Sequence, residues 1–309
     1  MPTMPPLDSL CSVPCANGFH ESGSRTGAMN NPKQGLRSGD DDDDEDEDEE
    51  ITALRERKVE HRRHTNMGEY DKLILRVSDT SPDNPFTRDP NITRDFAAMQ
   101  MPQFLLDNLH KRGIKEASEM QAHVIHIARS RDVYVIAPAG SGKTLCFLIP
   151  MIWGVFKRCK SGQWKSRDFD AKPCGLIVSP TRDLAKQIYD ELQLLIHNSI
   201  RQHCKLRSAL VNGGDDPKKQ KKALKGCHFC VATPGRIAEF HASNELSLTE
   251  VAFLTIDECD TILLNRLKDQ LDGIITELRS LQDNVLVGLY SATQSVQLQE
   301  AAQEWLERQ

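Results

Sequence analysis

Ala137-Pro138-Ala139-Gly140-Ser141-Gly142-Lys143-Thr144 is the stretch that decides the fold. A short apolar run, Asp132-Val-Tyr-Val-Ile136, precedes it and reads as a buried strand. Leu145-Cys-Phe-Leu-Ile-Pro-Met-Ile-Trp153 follows and reads as the first turns of a buried helix. A glycine-rich loop between strand and helix, closed by Gly-Lys-Thr, is a phosphate-binding loop. Gly140 and Gly142 let the backbone turn tightly and approach a ligand closely. Successive N–H groups then converge at a helix start, where the dipole favours anions. Lys143 can reach outer phosphates, and the Thr144 hydroxyl can ligate a magnesium ion. Ala137 stands where the general pattern has its first glycine.

Outward from this loop, apolar runs rich in β-branched residues recur at 133–136, 175–178, 207–211, 229–232, 252–256 and 285–290. Helical stretches separate them. Near-continuous apolar strands of this kind are expected to be buried on both faces. The alternation predicts an α/β fold with a parallel sheet and helices on either side. Ligands of such sheets sit at the carboxyl ends of the strands. Before the first strand, 101–110 carries apolar residues at helical spacing and ends at Gly113, and 119–128 reads as a second helix.

The first part of the chain has another character. Residues 1 to about 50 are rich in Pro, Gly, Ser, Asn and acid, and cannot bury enough surface to offset ordering entropy. Asp40 to Glu50 are eleven acidic residues in an unbroken run. The whole chain carries −6, so the remainder is mildly basic. A mixed basic block at 55–64 reads as solvated, and 65–92 as a polar linker. The expected layout is a disordered extension over 1–92 and a folded domain over 93–309. No apolar run approaches the roughly 18 residues that span a bilayer. The start lacks the charged and apolar regions of a secretory signal. Nine scattered cysteines, several inside strand-like runs, suit reduced thiols of an intracellular protein, cytoplasmic or nuclear. Cys227-His-Phe-Cys230 has no second pair at zinc spacing and reads as core cysteines.

A second motif, Leu254-Thr-Ile-Asp-Glu-Cys-Asp260, ends a strand in two adjacent carboxylates. Beside a phosphate loop, Asp257 would hold magnesium and Glu258 would orient and deprotonate a water. Alone, the pair also reads as a helix start complementing its dipole. Polar or glycine-bearing turns follow the other strands: Pro180-Thr181-Arg182, Gly213-Gly214, Thr233-Pro234-Gly235-Arg236 and Ser291-Ala292-Thr293. Such turns offer N–H groups and hydroxyls to phosphate oxygens, and the arginines offer charge-assisted contacts. Each alone is explained by turn and capping chemistry. Lys218, Lys219, Lys221, Lys222 and Lys225 read as a solvated helix face.

Together these ordered segments resemble the first lobe of a DEAD-box RNA helicase, with the box written Asp257-Glu258-Cys259-Asp260. Ala137 is what that family uses. The resemblance implies a RecA-like P-loop NTPase domain that takes ATP and Mg2+. It implies catalytic roles for Lys143, Asp257 and Glu258. Phe96 and Gln121, twenty-five residues apart, resemble the adenine-recognition element, the aromatic stacking on the base and the glutamine reading its edge. The turns at 180–182, 213–214 and 233–236 would face the RNA backbone, and 291–293 would couple hydrolysis to strand separation. Implied partners are RNA and ribonucleoproteins, without a membrane, for a monomeric protein. Ala117 for proline, Asp183 for glutamate and Cys259 for alanine depart from the family pattern. The chain also stops at Gln309, sixteen residues past Thr293. The expectation is a fragment or short form without the second lobe, slow at hydrolysis because an arginine finger contributes about 10³ to 10⁵ in rate. A single-lobe RNA- or partner-binding module and a DNA-directed ATPase stay open beside it.

Overall fold

In the computed structural model, six strands among the described residues form one parallel sheet in the order β1-β6-β5-β2-β4-β3. They are β1 (Val133–Ile136), β2 (Gly175–Val178), β3 (Ser208–Val211), β4 (Phe229–Ala232), β5 (Phe253–Ile256) and β6 (Leu286–Ser291). The structure describes residues 91–306 except 166, 266, 282 and 283, together with Ile51 and Leu54. The acidic run, the basic block and nearly all of the expected linker lie outside the described residues. Helices α1 (Gln103–Lys111) and α2 (Glu119–Ile127) precede β1, and α3 (Lys143–Lys160) follows it. Then come α4 (Arg182–Ile196) after β2, α5 (Pro217–Leu224) after β3, α6 (Pro234–Ala242) after β4, α7 (Cys259–Leu263) and α8 (Leu267–Leu281) after β5, and α9 (Val296–Leu306) after β6. No helix among the described residues is long and apolar enough to cross a membrane.

The period-two geometry of a strand divides its side chains between two cores. Ile177 joins Phe147, Ile149 and Leu192 of α3 and α4 on one face. Its neighbours Leu176 and Val178 join Ile237, Phe240 and Ile274 of α6 and α8 on the other. The central strands β2 and β4 are buried at every position, as the apolar runs predict. The expectation fails at the margins. β1 and β3 alternate, and Ile136 is 37% exposed. These two strands have a neighbour on one side only, so one row of their side chains meets solvent.

Three strands begin one residue later than the apolar runs suggest, and β6 extends to Ser291, which the sequence places beyond the strand. Ser291 is held by its register opposite Ile136. Helix α3 continues through Pro150 to Lys160. A proline inside a helix costs about 3 kcal/mol. Ten buried residues along α3 offset it, since burying a large apolar side chain is worth roughly 1.5–3 kcal/mol.

Some polar groups inside the fold are paired across elements. Asn108 of α1 donates to the carbonyls of Leu195 and His197 at 2.9 and 2.7 Å, satisfying the open end of α4. Arg112, just past α1, pairs with Glu191 of α4, and both side chains are buried. Cys227 and Cys230 are buried free thiols, as expected for core cysteines.

Candidate functional site

Strand order sorts the loop motifs into two groups. Because β1, β6 and β5 are neighbours, their carboxyl ends set 137–144, 291–293 and 257–260 side by side. Because β2, β4 and β3 are neighbours, 180–182, 233–236 and 213–214 line the other half of the same edge.

In the first group, Gly140 and Gly142 take φ of +78° and +88°, which side chains with a Cβ rarely adopt. A Cβ at Gly142 would also collide with Gln121 Nε2. That nitrogen donates to the Gly142 carbonyl at 3.2 Å. Gln121 is aimed by the start of its own helix. Ser118 Oγ accepts from Gln121 N, and Gln121 Oε1 accepts from Ser118 N, a reciprocal capping box. Lys143 Nζ donates to the carbonyls of Ala137 and Pro138 at 2.6 and 3.0 Å. Burial lowers the affinity of this ammonium for its proton, although Asp257, Asp260 and Glu258 all favour the charge.

Asp257 directly follows β5 and is 8% exposed. Its N–H is held by Val178 O, but the buried Oδ1 has no hydrogen-bond partner. Burial pushes this carboxyl up to about 6, against a backbone hydrogen bond and the Lys143 charge. Ser141 Oγ in the loop is likewise buried without a partner. Eleven buried side-chain atoms among the described residues lack a hydrogen-bond partner, and these two are the ones on the loop and at the acid pair, where a ligand could supply a cation and an acceptor. Glycine-rich turn, lysine, hydroxyl and orphaned carboxylate fit a magnesium–triphosphate group. Glu258 takes φ +48° at the start of α7, a conformation uncommon outside glycine.

Asp260 ties the box to the 291–293 turn, a link to which the sequence reading gave no residue. Its Oδ2 accepts from Ala292 N (3.3 Å), Thr293 N (3.1 Å) and Thr293 Oγ1 (2.7 Å). Burial alone would raise this carboxyl, but the hydrogen bonds from Thr293 and Ser291 prevail and hold it below the usual range. Ser291 O in turn accepts from Ala137 N at 3.0 Å. The box, the 291–293 turn and the loop are thus one bonded unit. Its only sequence signal is the acid two residues past Glu258. Cys259 is buried, so the change from alanine lies in the core.

Phe96 is not brought to this group's surface. It is fully buried in the α3-side core and leaves no ring face open for stacking in this conformation.

In the second group, Thr181 caps α4 by accepting from Leu184 N. Arg182 is exposed and donates from Nη1 to Gly213 O at 3.1 Å, reaching across to the next loop rather than along its helix. Gly214, at φ +94°, leaves room for it, since a Cβ there would collide with the guanidinium. Pro180 precedes this turn, half-buried. Thr233 is buried ahead of Pro234 in the first turn of α6, and Gly235 is exposed. Arg236 reaches Gln220 Oε1 at 3.3 Å and Glu239 at 3.2 Å, and Gln220 is fixed in turn by Asn212. On α5, Lys221 pairs with Glu245 at 2.7 Å, while Lys218, Lys219 and Lys222 face solvent.

Residues 118–301 match the DEAD/DEAH box helicase family. The chain is 32% identical over 213 residues to DEAD-box ATP-dependent RNA helicase 35 of Arabidopsis thaliana, covering 68% of this chain and 35% of that protein. It is 36% identical over 193 residues to ATP-dependent RNA helicase DBP7 of Gibberella zeae, covering 60% and 25%. Among solved structures, the yeast DEAD-box splicing factor Prp28 aligns with a TM-score of 0.59 at 25% identity, over 67% of this chain and 47% of that one. A DEAD box protein from Methanococcus jannaschii gives 0.57 at 25%, over 69% and 54%. The chain spans about a third of the length of the curated relatives it matches. With strand order, loop geometry and relatives in agreement, the chain belongs to the DEAD/DEAH box helicase family, and its sheet and helices are that family's RecA-like fold.

Proposed function

We propose that this chain carries, over residues 93–309, the ATP-binding lobe of an RNA-stimulated ATPase that couples hydrolysis to RNA binding and unwinding, with residues 1–92 as an extension ahead of it. The observation that carries this reading is the pair of buried oxygens without partners, Ser141 Oγ and Asp257 Oδ1, in the group that Lys143 joins. Residues 137–144 would cradle the phosphates, with Lys143 leaving its loop carbonyls for the outer ones. Thr144 and Asp257 would hold magnesium, which when bound offsets phosphate charge. Glu258 would accept the proton of the attacking water, and Gln121 would read the adenine edge. Phe96 would act from the core, by fixing the segment ahead of α2. The turns at 180–182, 213–214 and 233–236 would meet the RNA backbone. Ser291, Ala292 and Thr293 would report the state of the box through Asp260. The partners are RNA and ribonucleoprotein components inside the cell, with the protein acting as a monomer.

The test is single-turnover ATP hydrolysis by the purified chain with RNA present. Glu258→Gln should cut the rate by about 10² to 10⁴, the usual worth of a positioned base, and leave adenine-nucleotide binding in place. A rate unchanged by that substitution refutes the assigned base. The turns that carry Arg182 and Arg236, set apart from the phosphate loop by the strand order, support a second reading, a module that holds RNA or a partner without turnover. RNA retention indifferent to ATP, with no hydrolysis above background, would favour it.

A further inference from the structure

At the end of the sheet opposite the nucleotide loop, Cys159, Cys204 and His228 lie together, their sulfur and ring-nitrogen atoms within 4.8 Å of one another. They come from three separate elements. Cys159 is in the last turn of α3, Cys204 follows the 3-10 turn Ser199–Gln202, and His228 directly precedes β4. Of the seven described cysteines, five are buried; the two that solvent reaches are this adjoining pair. The Cys159 thiol and the His228 ring both lie against the Cys204 sulfur. Arg207 N–H donates to His228 Nδ1 at 3.2 Å, which leaves Nε2 as the donor nitrogen of the neutral ring. Trp164 stacks on that ring at 4.1 Å between centroids, and its own Nε1–H is tied to Lys172 O.

We propose that Cys204 and Cys159 are a peroxide-sensitive thiol pair that closes into a reversible disulfide, with Cys204 attacking and Cys159 resolving. The Cys204 thiolate attacks one oxygen of the peroxide; an S–O bond forms, the O–O bond breaks, and hydroxide leaves and is protonated to water. Cys159 then attacks the Cys204 sulfenic acid; an S–S bond forms, the S–O bond breaks, and the departing hydroxide takes the Cys159 proton as a second water. Two thiols are oxidised and one peroxide is reduced. The division of labour follows the surroundings. Hydrogen bonds from Cys159 and His228, with Lys160 nearby and burial opposing, hold Cys204 below the ordinary thiol range. The same shared hydrogen bond, burial and the neighbouring Cys204 and Cys174 push Cys159 up, against Arg158, so it keeps its proton until the second step. A metal ion fits this trio less well. It needs an unprotonated ring nitrogen, and structural zinc takes four ligands. Nδ1 is engaged by Arg207, and the described residues add no fourth group to the set.

The experiment treats the reduced full chain with stoichiometric hydrogen peroxide, then alkylates, digests and maps it by mass. A linked pair of peptides carrying Cys159 and Cys204 is expected, and dithiothreitol should dissolve it. Cys204→Ser should abolish the link and leave Cys159 open to alkylation. In Cys159→Ser, dimedone should trap a sulfenic acid on Cys204. His228→Gln, checked as folded by circular dichroism, should slow iodoacetamide labelling of Cys204 at neutral pH by about tenfold, from the lost thiolate fraction. Peroxide that leaves both thiols alkylatable, or links either to another cysteine, overturns the proposal. So does zinc chloride, added to the reduced chain, binding one ion that shields both thiols and is lost in Cys204→Ser; the trio would then be a metal site.

Discussion

Gln121 serves two neighbours with one amide: its oxygen closes the cap of α2 and its nitrogen holds the Gly142 carbonyl. Gln121→Glu separates the two. The carboxylate keeps the capping acceptor but turns an oxygen on an oxygen at Gly142. Adenine-nucleotide affinity, read by fluorescent-ADP titration, should fall about tenfold, the worth of one lost and partly repulsive hydrogen bond, with the helix intact. Asp260 gives a prediction in pH. Its folded-state carboxyl lies below the unfolded value of 3.8, so its contribution is fully present above that pH and is lost as pH falls through the folded value. Wild type should exceed Asp260→Asn by about 1–3 kcal/mol at neutral pH, the worth of hydrogen bonds to a charge, and the gap should close under acid in urea melts. The loop residues were legible in the sequence because their chemistry is written in eight consecutive positions. Asp260 was not, because its partner lies thirty-three residues on. Phe96 could be placed by spacing, but whether its ring faces a pocket or a core is decided by packing that spacing does not encode. The CxxC at 227–230 drew notice to its cysteines, and the residue that meets other chemistry is the histidine between them.

Helices and strands show where local pattern is outvoted. Pro150 would end α3 on propensity alone, yet the helix continues because its apolar residues on both sides of the proline are buried. The six strands were legible from apolar runs, but their margins were not, since the order that exposes β1 and β3 depends on which strands find each other. Between α1 and α4, the buried Arg112–Glu191 pair is invisible to helical periodicity, which treats both residues as surface. Removing one partner leaves a charge buried alone. Glu191→Ala should therefore cost about 3–5 kcal/mol in chemical denaturation, whereas Glu239→Ala, at an exposed partner of Arg236, should cost well under about 1 kcal/mol.

Across the whole molecule, the strand order divides one edge into a half that carries the phosphate loop and acids and a half that carries Arg182 and Arg236. The two halves should separate in mutagenesis. Arg182→Ala should weaken RNA binding across sequences and reduce the slope of log affinity against log salt by up to about one, while nucleotide titrations stay unchanged. The motif order could be read along the chain; the partition could not, because it depends on the crossover that carries the chain from β1 past two positions to β2. That crossover has a further consequence for synthesis. The sixth strand to leave the ribosome is the one that must slide between the first and the fifth. Until it emerges, the loop and the acids have no common floor. Nascent chains stalled before Leu286 has cleared the exit tunnel should retain no ATP on an affinity resin, and those stalled well beyond Ser291 should, so that the site is completed in a single late step.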